Sequence, residues 1–454
     1  MNDFEKDLYI AENIAKDACK LGGRAYFVGG YVRDALLGIE NKDIDIEIHG
    51  VTPSELEKIL DRFGERISIG ESFGIYSLKG HNIDIAMPRR ERATGRGHRD
   101  FEMLVDPFLG TRGAAKRRDF TVNAMMQDVL TGEIIDEFGG REDLQNKVLR
   151  HVDSETFAED ELRVLRCAQF AARFGFSVAD ETVGLCRSIP LSHLSRERVE
   201  AELKKALLKA QRPSVFFEVL REMDKLSEWF PELSALIGVE QPPRHHAEGD
   251  VWNHTMMVLD EAARLRDKTS NPFAFMMSAL CHDFGKAVCT QRIKGEIHAY
   301  GHETEGLPII KKFLDRITNE NAVIKYVMNL AELHMRPNAL AGQRSSVKAT
   351  NKMFDASICP KDLIFIATAD HLGRISLGES VSNEEFLFER LDIFNKTMEK
   401  PYVQGRDLIE AGLAPGENFG KLLDHAHKLR ISGVEKEEAL KATLAFARGK
   451  KNRC

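Results

Sequence analysis

The sequence predicts an α+β protein, with a small mixed α/β head over roughly the first 150 residues and helical regions from there to the end. Three observations predict it. Short apolar segments of strand length, separated by glycine turns, crowd the first part of the chain. Beyond it, apolar residues recur at helical spacing and strand signals fade. The length of 454 residues is enough for several domains with ample buried core.

Composition is that of an ordinary globular chain. The N-terminus, Met-Asn-Asp-Phe-Glu-Lys-Asp, is charged and lacks the apolar run of a signal peptide. No stretch approaches the roughly 18 consecutive apolar residues of a membrane span, so no membrane partner is expected. Seven cysteines lie scattered without a C-x-x-C pair, which argues for a reducing cytoplasm and against structural zinc or disulfides. With a net charge of −7, an RNA partner would have to be held by a local basic patch. Residues 86–118 offer one, with nine Lys/Arg against four Asp/Glu; a solvated face is the competing reading.

In chain order, residues 1 to about 25 read as an amphipathic helix with Ile10, Ile14, Ala15 and Leu21 among its apolar positions. A short strand, Tyr26 to Val28, runs into Gly29-Gly30. Tyr31 to Leu37 reads as a helix ended by Gly38, and the chain then enters a strand on which Asp43 and Asp45 alternate with Ile44 and Ile46. Residues two apart in a strand share a face, so the two acids project together while the isoleucines face a core. Carboxylates on one face repel each other unless a cation neutralises them, and hard oxygen ligands suit Mg²⁺ or Mn²⁺. The Gly-Gly turn lets backbone approach phosphates, and the first N–H groups of the next helix favour anions. A lone pair of this kind is more often a solvated strand edge.

Thr52-Pro-Ser-Glu-Leu looks like a helix start. Ile67 to Ile69, Ile75 to Leu78 and Ile83 to Ala86 read as strands; Asp84 in the last is either a third acid at the same site or an exposed edge residue. Arg89 to Arg99, rich in Arg and Gly, reads as a mobile basic loop. In Lys116-Arg-Arg-Asp-Phe-Thr-Val-Asn-Ala-Met125, Arg118 and Asp119 precede Asn123 by about one helical turn; a helix start capped by Asp119 is the alternative. Ile134-Ile-Asp-Glu-Phe-Gly-Gly closes the head near residue 150. Phe157 to Phe176 has helical periodicity, which would set Glu159 and Asp160 within reach of Arg163. Alone that is a surface ion pair worth a few tenths of a kcal/mol. Leu194 to Leu203 begins a further helix with Ser195 as N-cap, and Pro242-Pro-Arg-His-His marks a boundary. Beyond it stand His254, His282-Asp283-Phe-Gly-Lys286, His302, His334 and Asp370. Imidazoles with carboxylates suit a transition metal or Mg²⁺, although these separations are too long for spacing to establish a site.

The order strand, Gly-Gly, helix carrying Arg33-Asp34, then a strand with Asp-x-Asp resembles the catalytic hairpin of the polymerase-beta-like nucleotidyltransferases. In particular it resembles the class II tRNA nucleotidyltransferases (CCA-adding enzymes) and the related bacterial poly(A) polymerases. The resemblance implies a nucleotidyltransferase head at 1–150, a helical neck at 151–240, an HD phosphohydrolase-like domain at 241–380 and a helical tail at 381–454. It implies Mg²⁺ on Asp43 and Asp45, with Asp84 as a third catalytic acid, and a triphosphate cradled by Gly29, Gly30 and Arg33. By the R-R-D-F-T-x-N-A motif, Arg118, Asp119 and Asn123 would engage the nucleotide's triphosphate and sugar. By E-D-x-x-R, Glu159, Asp160 and Arg163, with Arg166 beyond, would read the base.

That last assignment has a chemical logic. Cytosine and adenine both present an amino donor beside a ring-nitrogen acceptor, which a carboxylate and an Arg can match; uracil and guanine would set a carbonyl against the acid, an unpaired clash costing roughly 1–3 kcal/mol. One departure stands out: where the motif commonly continues L-R-x-x-R-F-A, this chain has Gln169, which removes a charge from that position. His254, His282, Asp283 and Asp370 map onto the H…HD…D ligand set, holding Mg²⁺ or a transition metal; His302 and His334 would stand behind those ligands or contact substrate. The implied enzyme is cytoplasmic and adds C, C and A from CTP and ATP to the 3′ end of tRNA; the sequence carries no signal of its oligomeric state. Alternatives are a poly(A) polymerase, against which the HD domain and the absence of a long basic C-terminal extension count, and a CC-only or A-only adding enzyme. From another class, the chain would be an HD phosphohydrolase whose head binds nucleotide or RNA; a non-catalytic RNA-binding protein would not need both sets of acids.

Overall fold

The computed structural model describes residues 2–68, 74–93, 101–375 and 382–451. The chain forms two compact units, Met1–Glu202 with Val215–Trp229, and Leu203–Ser214 with Phe230–Cys454.

The first unit opens with α1 (Asp3–Lys20), whose start is fixed by a reciprocal capping box between Asn2 and Glu5 and whose buried face carries Ala11, Ile14, Ala15 and Ala18. Then come β1 (Arg24–Val28), α2 (Gly30–Leu36), β2 (Ile44–His49), α3 (Pro53–Leu60), β3 (Arg66–Ser68), β4 (Ile75–Leu78), β5 (Ile83–Ala86), β6 (Arg89–Ala93), β7 (Phe101–Val105), α4 (Gly110–Lys116), β8 (Met126–Asp128) and β9 (Ile134–Ile135). Seven strands make one mixed sheet in the order β3-β4-β5-β2-β1-β8-β9. β2 runs antiparallel to β1 and parallel to β5, with Asp45 in register with Asp84. Ile44, Ile46 and Ile48 of β2 are fully buried, as the period of two requires.

Two head expectations need correction. β2 begins at Ile44, so Asp43 is the residue before the strand. Residues 89–93 are not loop: they pair antiparallel with β7, while 94–100 lie outside the described residues, as does Ile69. An Arg-rich strand escapes a reading based on buried alternation, because its partner strand, not a core, selects it.

The helical part of this unit has α5 (Gly140–Asn146), α6 (Ser154–Ala158), α7 (Leu162–Phe174), α8 (Asp180–Ser188) and α9 (Arg196–Lys209), which ends in the other unit. The single helix expected over 157–176 is two. α6 is capped by Asp153 and ends at Ala158; α7 starts at Leu162, whose amide donates to Asp160 Oδ1 at 3.1 Å. Gly175, at φ +67°, stops α7 in the left-handed conformation that glycine adopts freely.

In the second unit, helices Val251–Leu265, Pro272–Cys281, Asn321–Leu333 and Pro360–Leu372 pack together. A hairpin of Gln291–Ile293 with Glu296–His298 interrupts a region expected to be helical. Helices Gly405–Glu410, Phe419–Ile431 and Lys436–Lys451 close the chain around Leu408, Leu422 and Ala426. Among the described residues no helix is long and apolar enough to cross a membrane.

Candidate functional site

In the head, parallel register sets Asp45 beside Asp84 on one face of the sheet. Burial pushes the Asp45 carboxyl up to about 6, Arg118 opposes the rise, and Asp84 and Asp43 add to it. Asp43 is held by Asn82, whose Nδ2 donates to Oδ1 at 2.7 Å. A desolvated carboxylate beside two others is a donor set that fits a divalent cation. Gly29, at φ +63°, has Arg118 above it: a Cβ there would stand 3.1 Å from Arg118 Nη1 and 4.0 Å from Asp45 Oδ2. The guanidinium is thus poised over the turn that leads into α2. Glu47, not singled out from the sequence, fixes it there. This wholly buried carboxylate lies 2.8 Å from His49 Nε2 and 3.5 Å from Arg118 Nη2. Burial acts to raise its pKa, but His49 and Arg118 outweigh that and lower it to about 2. The readable signal was its place two residues beyond Asp45 on the same strand face.

A second network joins α2, the 3₁₀ turn Thr121–Asn123 and α7. Arg33, buried over the rings of Phe174 (4.6 Å) and Phe170 (5.2 Å), donates to Asp34 Oδ1 at 2.6 and 2.8 Å and to Asn123 Oδ1 at 2.6 Å. Asn123 Nδ2 donates to Asp119 Oδ1 at 2.9 Å, and Arg166 donates to Asp119 Oδ2 at 2.9 and 2.5 Å. Asp119 and Asn123 therefore meet as their spacing suggested, though through a 3₁₀ turn. Burial acts to raise the Asp119 pKa, yet the Arg166 charge and the hydrogen bonds from Asn123, Arg166 and the Phe120 amide hold it below the ordinary value. Gln169, buried in α7, has an Nε2 without a hydrogen-bond partner.

The structure does not pair the side chains of Asp160 and Arg163, although the Arg163 amide donates to the Asp160 carbonyl at 3.0 Å. Because Asp160 precedes α7, its carboxylate turns to α9, where Arg198 Nη2 donates to its two oxygens at 2.9 and 3.0 Å. Arg163 donates to the carbonyl of Thr156 and, at 2.8 Å, to that of Arg117. Glu159 is the C-cap of α6. Both α9 and Arg198 were visible as a helix start, but its partner was not.

In the second unit the four ligand candidates converge from three segments. His254 Nε2 is 3.1 Å from Asp370 Oδ1 and 3.5 Å from Asp283 Oδ2; His282 Nε2 is 3.2 Å from Asp283 Oδ2. His302 and His334, expected at the periphery, also face Asp283 Oδ1, at 3.2 and 3.8 Å. All six side chains are buried. His282 Nε2 and both Asp283 oxygens lack hydrogen-bond partners, although Lys286 Nζ forms an ion pair with Oδ2 at 2.7 Å. Arg374 pairs with Asp370. Burial acts against a proton on His254 and His302, but Asp370 and Glu248 draw one to the first and Asp283 to the second, raising both. A divalent ion answers the same surplus of negative charge, and the donors fit it. Glu248, missed in the sequence, lies 3.2 Å from His254 Nδ1, which also faces the Gly373 carbonyl at 3.2 Å; it orients the ring so that Nε2 points inward. No spacing signal marks it.

Comparison with known proteins gives two family matches, the poly A polymerase head domain over residues 25–150 and the HD domain over residues 251–375. The multifunctional CCA protein of Shewanella denitrificans is 40% identical over 423 residues, 91% of this chain and 97% of that protein. That of Pasteurella multocida is 34% identical over 430 residues, 92% and 97% respectively, and that of Actinobacillus pleuropneumoniae 38% over 363 residues, 77% and 85%. Among solved structures, the Thermotoga maritima CCA-adding enzyme complexed with tRNA aligns over 98% of this chain and 99% of its own, with TM-score 0.64 and 22% identity. The Bacillus stearothermophilus CCA-adding enzyme in complex with CTP aligns over 100% of both chains, again with TM-score 0.64 and 22% identity. At that identity the likeness to the two structures is one of fold.

Proposed function

The chain belongs to the multifunctional CCA protein family, and from that membership we propose that it adds C, C and A, from CTP and ATP, to the 3′ end of tRNA without a nucleic-acid template. It is a nucleotidyltransferase with an HD domain. The observation that carries the reading is the convergence of Asp45, Asp84 and Asp43 beside a glycine turn overhung by Arg118.

Asp43, Asp45 and Asp84 would hold Mg²⁺, which when bound neutralises the triphosphate and favours ionisation of the RNA 3′-hydroxyl. Gly29 and Gly30 leave room for the phosphates, and the α2 amides with Arg118 attract them. Arg33, locked between Asp34 and Asn123, gives that wall a fixed positive charge. Asp119 and Asn123 place the sugar side, and Arg166 keeps Asp119 ionised. Glu159, Asp160 and Arg163 read the base. The acid accepts from the amino group of C or A, and Arg163 donates to the ring nitrogen after leaving its carbonyl partners. tRNA is held through its phosphates and shape; the basic stretch 86–118 supports this role. The division into head 1–150, neck 151–240, HD domain 241–380 and tail 381–454 belongs to the same proposal, as does cytoplasmic action.

His254, His282, Asp283 and Asp370 would hold Mg²⁺ or a transition metal for a second activity, hydrolysis of phosphoesters. Primer extension on tRNA lacking its 3′ end tests the main reading, with each nucleotide alone and then CTP with ATP. Growth that stops after C, C and A is expected. Unlimited A addition would assign a poly(A) polymerase, C and C alone a CC-adding enzyme, and A only on a CC end an A-adding one. No incorporation by folded protein would leave the HD hydrolase as the remaining account.

A further inference from the structure

The acids of the head are not all held in the same way. Asp45 lies within β2, between the fully buried Ile44 and Ile46, so the sheet and the core fix it. Asp43 precedes the strand and is exposed, and its position rests on hydrogen bonds rather than on a core. Asn82 takes its carboxylate: Nδ2 donates to Oδ1 at 2.7 Å and also to the Lys42 carbonyl at 3.0 Å. Asn41 takes its backbone. The Asp43 amide donates to Asn41 Oδ1 at 3.0 Å, closing an Asx-type turn.

The other arm of the Asn41 side chain reaches the residues around the glycine turn. Nδ2 donates to Asp34 Oδ2 at 3.0 Å, while Asp34 Oδ1 accepts from Arg33 Nε and Nη2 at 2.8 and 2.6 Å. A Cβ on Gly30 would stand 3.7 Å from that Nδ2 and 3.5 Å from Arg33 Nη2, so Asn41 borders the turn itself. From Arg33 the line continues to Asn123, from Asn123 to Asp119, and from Asp119 to Arg166 of α7. A backbone amide only donates and a carboxylate only accepts, so a single orientation of the Asn41 amide satisfies both neighbours. A Ser in its place could close the turn with its hydroxyl but has no second arm for Asp34.

We infer that Asn41 is a positioning residue of the transferase site, fixing the metal-holding acid Asp43 at a set distance from the Arg33–Asp34 pair that lines the phosphates. The inference rests on the transferase reading and adds to it a residue that acts only through its neighbours. Without Asn41 the exposed acid loses one of its two anchors, and the cost falls on the metal before it falls on the nucleotide.

Full-length Asn41→Ala and Asn41→Ser proteins test this. Equilibrium dialysis against Mn²⁺, with the full-length Asp45→Asn protein as the reference for binding elsewhere in the chain, reads the head's share without any need for activity. Both substitutions should weaken that share about 10-fold, the size of effect expected for a hydrogen bond to a charged group. The Mg²⁺ concentration for half-maximal C addition should rise by a similar factor, while the KM for CTP at saturating Mg²⁺ moves by less than about twofold. An Asn41→Ser protein that matches the parent would overturn the link to Asp34, and an Asn41→Ala protein that does so would overturn the positioning role altogether. An equal loss of CTP binding in EDTA would also overturn it, by showing that Asn41 supports the pocket as a whole. Should Asn41→Ala fail to fold, Asn41→Ser, which keeps the turn, decides the matter. A parent protein that binds Mn²⁺ in the head yet adds no nucleotide would sink the transferase reading alone, and a parent with no head share would sink the metal site and this inference together.

Discussion

Asp119 shows how one buried acid is kept charged. Its pKa is lowered in the folded protein, with Arg166 and Asn123 outweighing the burial penalty. A depressed carboxyl stabilises the fold above its unfolded value of about 3.9, and that contribution is lost as pH falls through the lower folded value. Asp119→Asn should therefore cost about 3 kcal/mol at neutral pH by leaving Arg166 without its partner. The melting temperatures of variant and parent should converge in acid. Thermal denaturation from about pH 7 to about pH 2.5 reads both effects, and parallel curves across that range would remove the charge argument. The residue types here were legible from the motif. Their pairing was not, since Arg166 is 47 positions away and meets Asp119 only through the packing of α7.

At the scale of elements, α9 decides where Asp160 points. Arg198 accounts for the contact that a continuous helix would have given to Arg163. Arg198→Ala should loosen the acid and lower discrimination of CTP and ATP against UTP and GTP by about 10- to 100-fold, the worth of a charge-assisted hydrogen bond. Single-nucleotide kcat/KM values check it; an equal loss for all four nucleotides would mean Arg198 supports the fold and not selection. A second element effect centres on Gly285. A Cβ there would lie 2.0 Å from the His302 carbonyl oxygen and 2.9 Å from the Gly306 amide nitrogen, so backbone and not a flexible side chain would have to move. Gly285→Ala should destabilise the second unit by about 1–3 kcal/mol and weaken Mn²⁺ binding through the displaced His302. Melting with and without Mn²⁺ separates the two consequences, and an unchanged Mn²⁺ shift would show that His302 had not moved.

For the whole molecule, the two constellations lie in different compact units, so the two activities should be separable by single substitutions. Asp43→Ala should abolish nucleotide addition and leave metal-dependent phosphoester hydrolysis near its parent rate. His282→Ala should do the reverse. Loss of both activities from either substitution, in a protein that melts normally, would show that the sites depend on each other.

Legible in the sequence alone were the helix, strand, glycine turn, helix and Asp45-bearing strand that open the head, and the residue types of both constellations. Each of these follows from a local period or a short motif, which neighbouring residues set regardless of the rest of the chain. Tertiary structure alone decided that residues 89–93 form a strand, that Asp160 binds Arg198, that Glu47 holds Arg118 over Gly29, and that His302 and His334 join the buried cluster. Those outcomes depend on segments distant in the chain meeting in one place. Hydrogen bonds and lone pairs select partners by position in space, which no spacing along the chain encodes.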